Sequence, residues 1–165
     1  MIIFSNWSLN KATRTISIGL FIISLTQKCY CTTRGCGDSI AVLISGSIGF
    51  FLCYANLTWL ANPLLLISWI QINRNCKLSW IMSLLATIIS LSFLLFTRIM
   101  DNEGGFYSEI ISYKIGYWLW LASSLTMLIG NTITYFSKPA QLSVSLGRDK
   151  DKLIRKTKPD GIKTS

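Results

Sequence analysis

The sequence predicts an all-α fold, a polytopic membrane helix bundle with four crossings and one broken or re-entrant half-helix. Three observations carry that expectation. Hydrophobic residues make up 51% of the 165-residue chain and charged residues 14%. The charges are segregated: residues 39–73, 78–97 and 115–137 contain none. Runs of about 20 apolar residues are what a hydrocarbon core of ~30 Å asks of a helix.

The first element is a helix over residues 10–27. Its apolar part, "ISIGLFIISLT" at 16–26, is short, and Lys11 and Arg14 precede it. No small-residue cleavage site follows, so the segment is expected to stay in place, with both cations reaching the interface. Residues 39–72 are too long for one crossing, since a helix of that length spans ~51 Å, and too short for two with a turn. The run breaks at Asn62-Pro63, where proline lacks a donor and disfavours helix in its predecessor. It is therefore expected to make one crossing over residues 39–55 and a half-span over 62–72. Clear helices follow over 78–97 and 115–136, separated by an acidic loop whose Gly104-Gly105 marks a turn. The chain divides into a transmembrane bundle, residues 1–137, and a basic disordered tail, residues 138–165.

Orientation follows from Lys and Arg. With four crossings and an inner N-terminus, or five and an outer one, 12 of the 16 lie inside, so the positive-inside rule ties. Both solutions put the C-terminus in the cytoplasm and the acidic loop outside. The shortness of 39–72 and the cations before the first run favour four crossings.

The stretch "CYCTTRGCG" at 29–37 holds three of the five cysteines. In the four-crossing arrangement Cys29, Cys31 and Cys36 face an oxidising compartment, where disulfides persist. Cys29–Cys36 or Cys31–Cys36 would close a small loop. Cys29–Cys31 is disfavoured, because extended i and i+2 positions lie roughly 6.6 Å apart, near the upper limit for a bridge. A zinc site wants four ligands; this loop has three thiols, the chain has no histidine, and Cys53 and Cys76 are expected elsewhere. Asp101, Glu103 and Glu109 match no calcium-loop spacing and read as a solvated loop. Asn56, Asn62, Gln71, Asn131 and Thr134 are expected to hydrogen-bond between helices. Trp80, Trp118, Trp120 and Tyr117 suit an aromatic belt at the helix ends.

Without histidine there is no Ser–His or Cys–His pair, and no Gly-rich phosphate loop occurs. No catalytic, cofactor or metal residue is therefore assigned, and an enzyme is not expected. The basic balance follows from orientation and tail and gives no ground for nucleic acid.

"LANPLLL" at 60–66, "NEGG" at 102–105 and "GYWLWLAS" at 116–123 resemble a group of small, uncharacterised multi-span inner-membrane proteins of Gram-negative bacteria. The resemblance covers residues 15–130. It implies a multi-pass protein of the bacterial inner membrane and carries over no activity. The expected function is non-enzymatic: contact with another membrane protein, or with itself, within the lipid bilayer. An immunity protein against a membrane-inserting toxin and an anchor subunit of a defence or envelope complex are its concrete forms. A small oligomeric channel or transporter is the alternative.

Overall fold

The computed structural model describes residues 2–49, 54–100 and 107–157; side chains are described over 9–47, 57–99 and 107–137. Helix α1 spans Ile2–Leu25 and is followed by strands β1, Lys28–Thr32, and β2, Gly35–Asp38. Helix α2, Ser39–Gly49, comes next; a 3-10 segment, Tyr54–Leu60, then leads into α3, Ala61–Gln71, and α4, Cys76–Ser92. Strands β3, Arg98–Met100, and β4, Tyr107–Tyr113, precede the long α5, Ile115–Thr157.

The architecture is mixed α/β. The strands form one antiparallel sheet in the order β2-β1-β4-β3, which overturns the all-α expectation. The reason is local. Strands of three to seven residues vanish in an average taken over a membrane-length window, and both hairpins lie where only loops were expected. Thr33-Arg34 is a two-residue turn between the paired Thr32 and Gly35. The inner pair, Tyr30 with Tyr113, joins distant parts of the chain, so the sheet rests on a non-local pairing that no local sequence window contains.

The four-crossing count is overturned as well. Among the described residues, one helical stretch, Cys76–Leu95, is long and apolar enough to cross a membrane. Segment 39–72 divides into two 11-residue helices with a 3-10 piece between, and 11 residues rise only ~17 Å. Helices α1 and α5 are longer but carry Asn, Ser and Thr along their length, with Lys11 and Arg14 in α1. The run divides just before Asn62 and Pro63, which occupy the first turn of α3, where a missing N–H leaves no internal bond unmade. Helix α5 continues to Thr157, so the segment expected to be disordered from residue 138 is helical for its first twenty residues.

Packing follows a helical period with inverted chemistry. Along α4 the buried positions are Cys76, Ser79, Ser83, Ala86, Thr87 and Ser90, while Leu85, Ile88 and Leu91 face outward. Helix α1 buries Asn10, Thr13, Ser17 and Ser24 and exposes Ile16, Ile22 and Ile23. Helix α5 buries Ser123, Ser124, Met127, Asn131 and Thr134 and exposes Leu125, Ile129, Ile133 and Phe136. Small inward residues let backbones approach closely. Helix α5 runs against α1, and Gly130 lies directly on Thr13.

The helices meet the sheet through aromatic rings. Tyr30, Phe93, Tyr113 and Tyr117 pack in tilted and edge-on pairs with centroids 5.0 to 5.8 Å apart. Two of these tyrosines close the C-terminal end of α4, whose last carbonyls have no helical partners. Tyr117 Oη donates to Ser90 O at 2.9 Å, and Tyr113 Oη lies 3.2 Å from both Phe93 O and Phe96 O. Tyr117 is thus fully buried rather than part of an interfacial belt; Trp118, 48% exposed, faces outward.

Candidate functional site

Two places gather chemistry: the polar seam inside the helices, and the cysteine hairpin on the sheet.

The seam is built from serine pairs at helix crossings. Ser17 and Ser123 join α1 to α5: each hydroxyl reaches the other's carbonyl, at 2.9 and 2.8 Å. Ser68 and Ser79 join α3 to α4 in the same way, at 3.0 and 2.9 Å. Asn131 of α5 binds the second pair. Its Nδ2 reaches Ser68 Oγ, Ser79 O and Ser83 Oγ at 3.0 to 3.1 Å, and its Oδ1 accepts from Ser79 Oγ. Trp69 Nε1 donates to Ser17 Oγ at 2.9 Å, Trp80 Nε1 to Thr132 Oγ1 at 3.0 Å, and Thr134 Oγ1 to Asn10 Oδ1 at 2.7 Å. Asn62 accepts from Trp120 Nε1 at 2.8 Å and donates to Trp59 O at 3.0 Å. Neutral amides and hydroxyls can position helices and fix their register; none of them is a nucleophile activated by a base.

Comparison with protein-family models, curated proteins and solved structures found no match. The site's chemistry therefore has to be read from its own geometry.

Of the three hairpin cysteines, the structure joins Cys31 and Cys36, which face each other across β1 and β2. Cys36 lies exposed on the edge strand; Cys31 is buried. Cys29 stands outside the bridge. It occupies a β-bulge, since Lys28 and Tyr30 pair with the adjacent Asp38 and Gly37, and its carbonyl accepts from Lys114 N at 2.8 Å. Burial pushes the Cys29 thiol up from 9.0 to about 11, with the Ser39 hydroxyl pulling the other way. A thiol in that state is a poor nucleophile at neutral pH.

Two outcomes are expected here. Cys31→Ser with Cys36→Ser should lower stability by about 2 kcal/mol, the entropy of closing so short a loop, measured by unfolding with and without a reducing agent; the reductant should then have no further effect. Cys29 should be alkylated by a maleimide at pH 7 much more slowly in the folded protein than in the unfolded chain, because burial raises its pKa from 9.0 to about 11. The sign follows from proton binding. Between 9.0 and about 11 the folded chain holds a proton the unfolded chain has lost, so this group's stabilisation is complete below that window and lost as pH rises through it. Rapid labelling at pH 7 without unfolding would contradict the burial of Cys29.

The remaining expected residues fall as follows. Glu109 pairs with Arg98 at 2.9 Å with both side chains more than 60% exposed, a surface contact of little energetic weight. Asp101, Glu103, Cys53, Gly104 and the Asn56 side chain lie outside the described residues. Among the described residues no group of three His, Cys, Asp or Glu side chains could hold a metal ion. The serine pairs escaped sequence reasoning, although Ser79-x-x-x-Ser83 and Ser83-x-x-x-Thr87 stand at the spacing that puts side chains on one helix face.

Proposed function

We propose that this chain is a non-enzymatic integral membrane protein that works by helix contact with a partner, as an immunity protein or as an anchor subunit does. One observation carries the reading: the polarity of the molecule is inverted. Among the described residues, 17 polar side chains are buried against 11 apolar ones, while 22 large hydrophobic side chains are exposed. Water would penalise that exposed alkyl surface at about 25 cal/mol per Å², and an apolar solvent would not. The candidate span supports the same reading, since only 33% of its apolar window is buried inside the molecule; the core helix of a water-soluble protein is covered by its own fold. The resemblance at "LANPLLL", "NEGG" and "GYWLWLAS" supports placement in the bacterial inner membrane, with the basic end toward the cytoplasm.

The contact reading is preferred to a channel because the buried hydroxyls bond one another. Ser17, Ser68, Ser79, Ser83, Ser123 and Asn131 are all 0% exposed, whereas a conducting path needs such groups facing water. Helix α2 offers a surface for a partner: Ile40, Ala41, Ile44 and Ser45 are exposed along it. The test is fractionation followed by site-specific crosslinking from position 44. Sedimentation with membranes after carbonate washing, and one discrete crosslinked protein, are expected. Recovery without detergent in the soluble fraction would refute the membrane reading. Ion or solute flux through the pure reconstituted protein would favour the channel.

A further inference from the structure

The helix contacts sort the charges to opposite ends. Asn10 meets Thr134, and Ser17 meets Ser123, so the first half of α1 lies beside the far end of α5's described side chains. Asn131 reaches Ser79, and Trp80 stacks on Tyr135 at 5.5 Å, so the α3–α4 turn lies at that end too. Lys11, Arg74 and Lys77 are exposed there, with Arg14 half-buried. Helix α5 continues away from the same end through Lys138, Arg148, Lys150, Lys152, Arg155 and Lys156, against Asp149 and Asp151. The two carboxylates whose side chains are described, Asp38 and Glu109, both belong to the sheet at the other end. There they partly offset Lys28, Arg34, Arg98 and Lys114. Among the described side chains the first end therefore carries four cations and no carboxylate, and the sheet end four cations and two carboxylates.

We infer that the basic end is a docking surface for anionic phospholipid headgroups, with Arg74 and Lys77 at its centre. This rests on the membrane reading above and adds lipid selectivity to it. Three features argue for lipid. The cations flank the beginning of the candidate span, at headgroup depth for a helix that starts at Cys76. Their backbone is held in place: Arg74 N and Asn75 N bond Gln71 O at 3.0 and 2.8 Å, and Asn75 Oδ1 caps α4 at Leu78 N. The stacked Trp80 and Tyr135 are the amphipathic rings that favour the same depth. The shared chemistry is a phosphate diester anion meeting ammonium and guanidinium donors.

The experiment titrates the full chain in neutral detergent with phosphatidylglycerol or phosphatidylcholine, reading bound lipid by native mass spectrometry. Phosphatidylglycerol should bind about thirtyfold more tightly, as two basic residues near a surface provide at about 1 kcal/mol each. The preference should collapse in 1 M salt, where the Debye length falls to ~3 Å, and in the Arg74→Gln, Lys77→Gln double variant. Lys114→Gln at the sheet end should leave it unchanged. Equal binding of the two lipids would overturn the inference and leave the membrane reading standing. So would complete competition by inorganic phosphate, or by a nucleic acid that binds more tightly than the lipid. Failure to bind either lipid, in a chain that stays soluble without detergent, would refute the membrane reading itself.

Discussion

Asn131→Leu is expected to lower the unfolding free energy by about 2 kcal/mol, and Asn131→Asp by more. Asn131 is 0% exposed, and leucine keeps its branched shape with a larger volume, so the cost comes from lost hydrogen bonds and some overpacking rather than from a cavity. It stays moderate because the hydroxyls left behind have other acceptors: Ser79 Oγ reaches Ser68 O at 2.9 Å and Ser83 Oγ reaches Trp80 O at 2.9 Å. Aspartate has no such relief. As a carboxylate it can only accept, so the contact with Ser79 O becomes repulsive, the Ser68 and Ser83 hydroxyls must leave their present acceptors to donate to it, and it buries a charge with no cation among its hydrogen-bond partners. Burial would raise that carboxyl's folded pKa above its unfolded value of ~3.9. The stability of the Asp variant should therefore be greatest below the unfolded value and fall as pH rises through the folded one. Denaturation of the three proteins in mild detergent at neutral and acidic pH measures this. If Asp and Leu cost the same at both pH values, water reaches the amide and the seam is not dry.

Gly130→Ala should be of similar size, about 2 to 3 kcal/mol, by overpacking the α1–α5 seam. A Cβ at Gly130 would fall on the Thr13 side chain, within 2.8 Å of the Thr13 Cβ that is fixed to the backbone of α1. Rotating Thr13 cannot relieve that contact, so the helices must part. Parting them strains the Ser17–Ser123 pair and the Asn10–Thr134 bond on the same seam. Thr13→Gly introduced together with Gly130→Ala should recover most of the loss. Gly19→Ala is the matched control: a Cβ there meets nothing within 4 Å, so its effect should be neutral or stabilising by up to about 1 kcal/mol through helix propensity. Equal losses at Gly19 and Gly130 would mean that packing on Thr13 is not the cause.

Much of the helical layout was legible because long uncharged runs carry a strong signal. The helices expected at 78–97 and 115–136 correspond to α4 and the first half of α5. Asn131 and Asn62 stood out as amides in apolar surroundings, and both bridge separate helices. The sheet was not legible at the scale of those runs. "YSEIISY" alternates between exposed and covered positions over part of its length, but it is short and sits in a segment rich in acids. The extent of α5 was missed for the opposite reason: its last twenty residues are polar, and polarity suggested disorder where the chain remains helical. The number of spans was overread, because composition counts apolar residues without asking whether they lie in one unbroken helix.

The sequence by itself determined where charge is absent, the positions of α4 and of the first half of α5, and that three thiols share one short segment, because these depend on residue type and near-neighbour spacing. Only the tertiary structure decided that two hairpins join into one sheet, that Cys31 and Cys36 form the bridge while Cys29 is shielded, and that serine faces inward while isoleucine faces out. Those outcomes depend on which distant residues come into contact and on what each side chain displaces from its neighbours, and no local pattern encodes that.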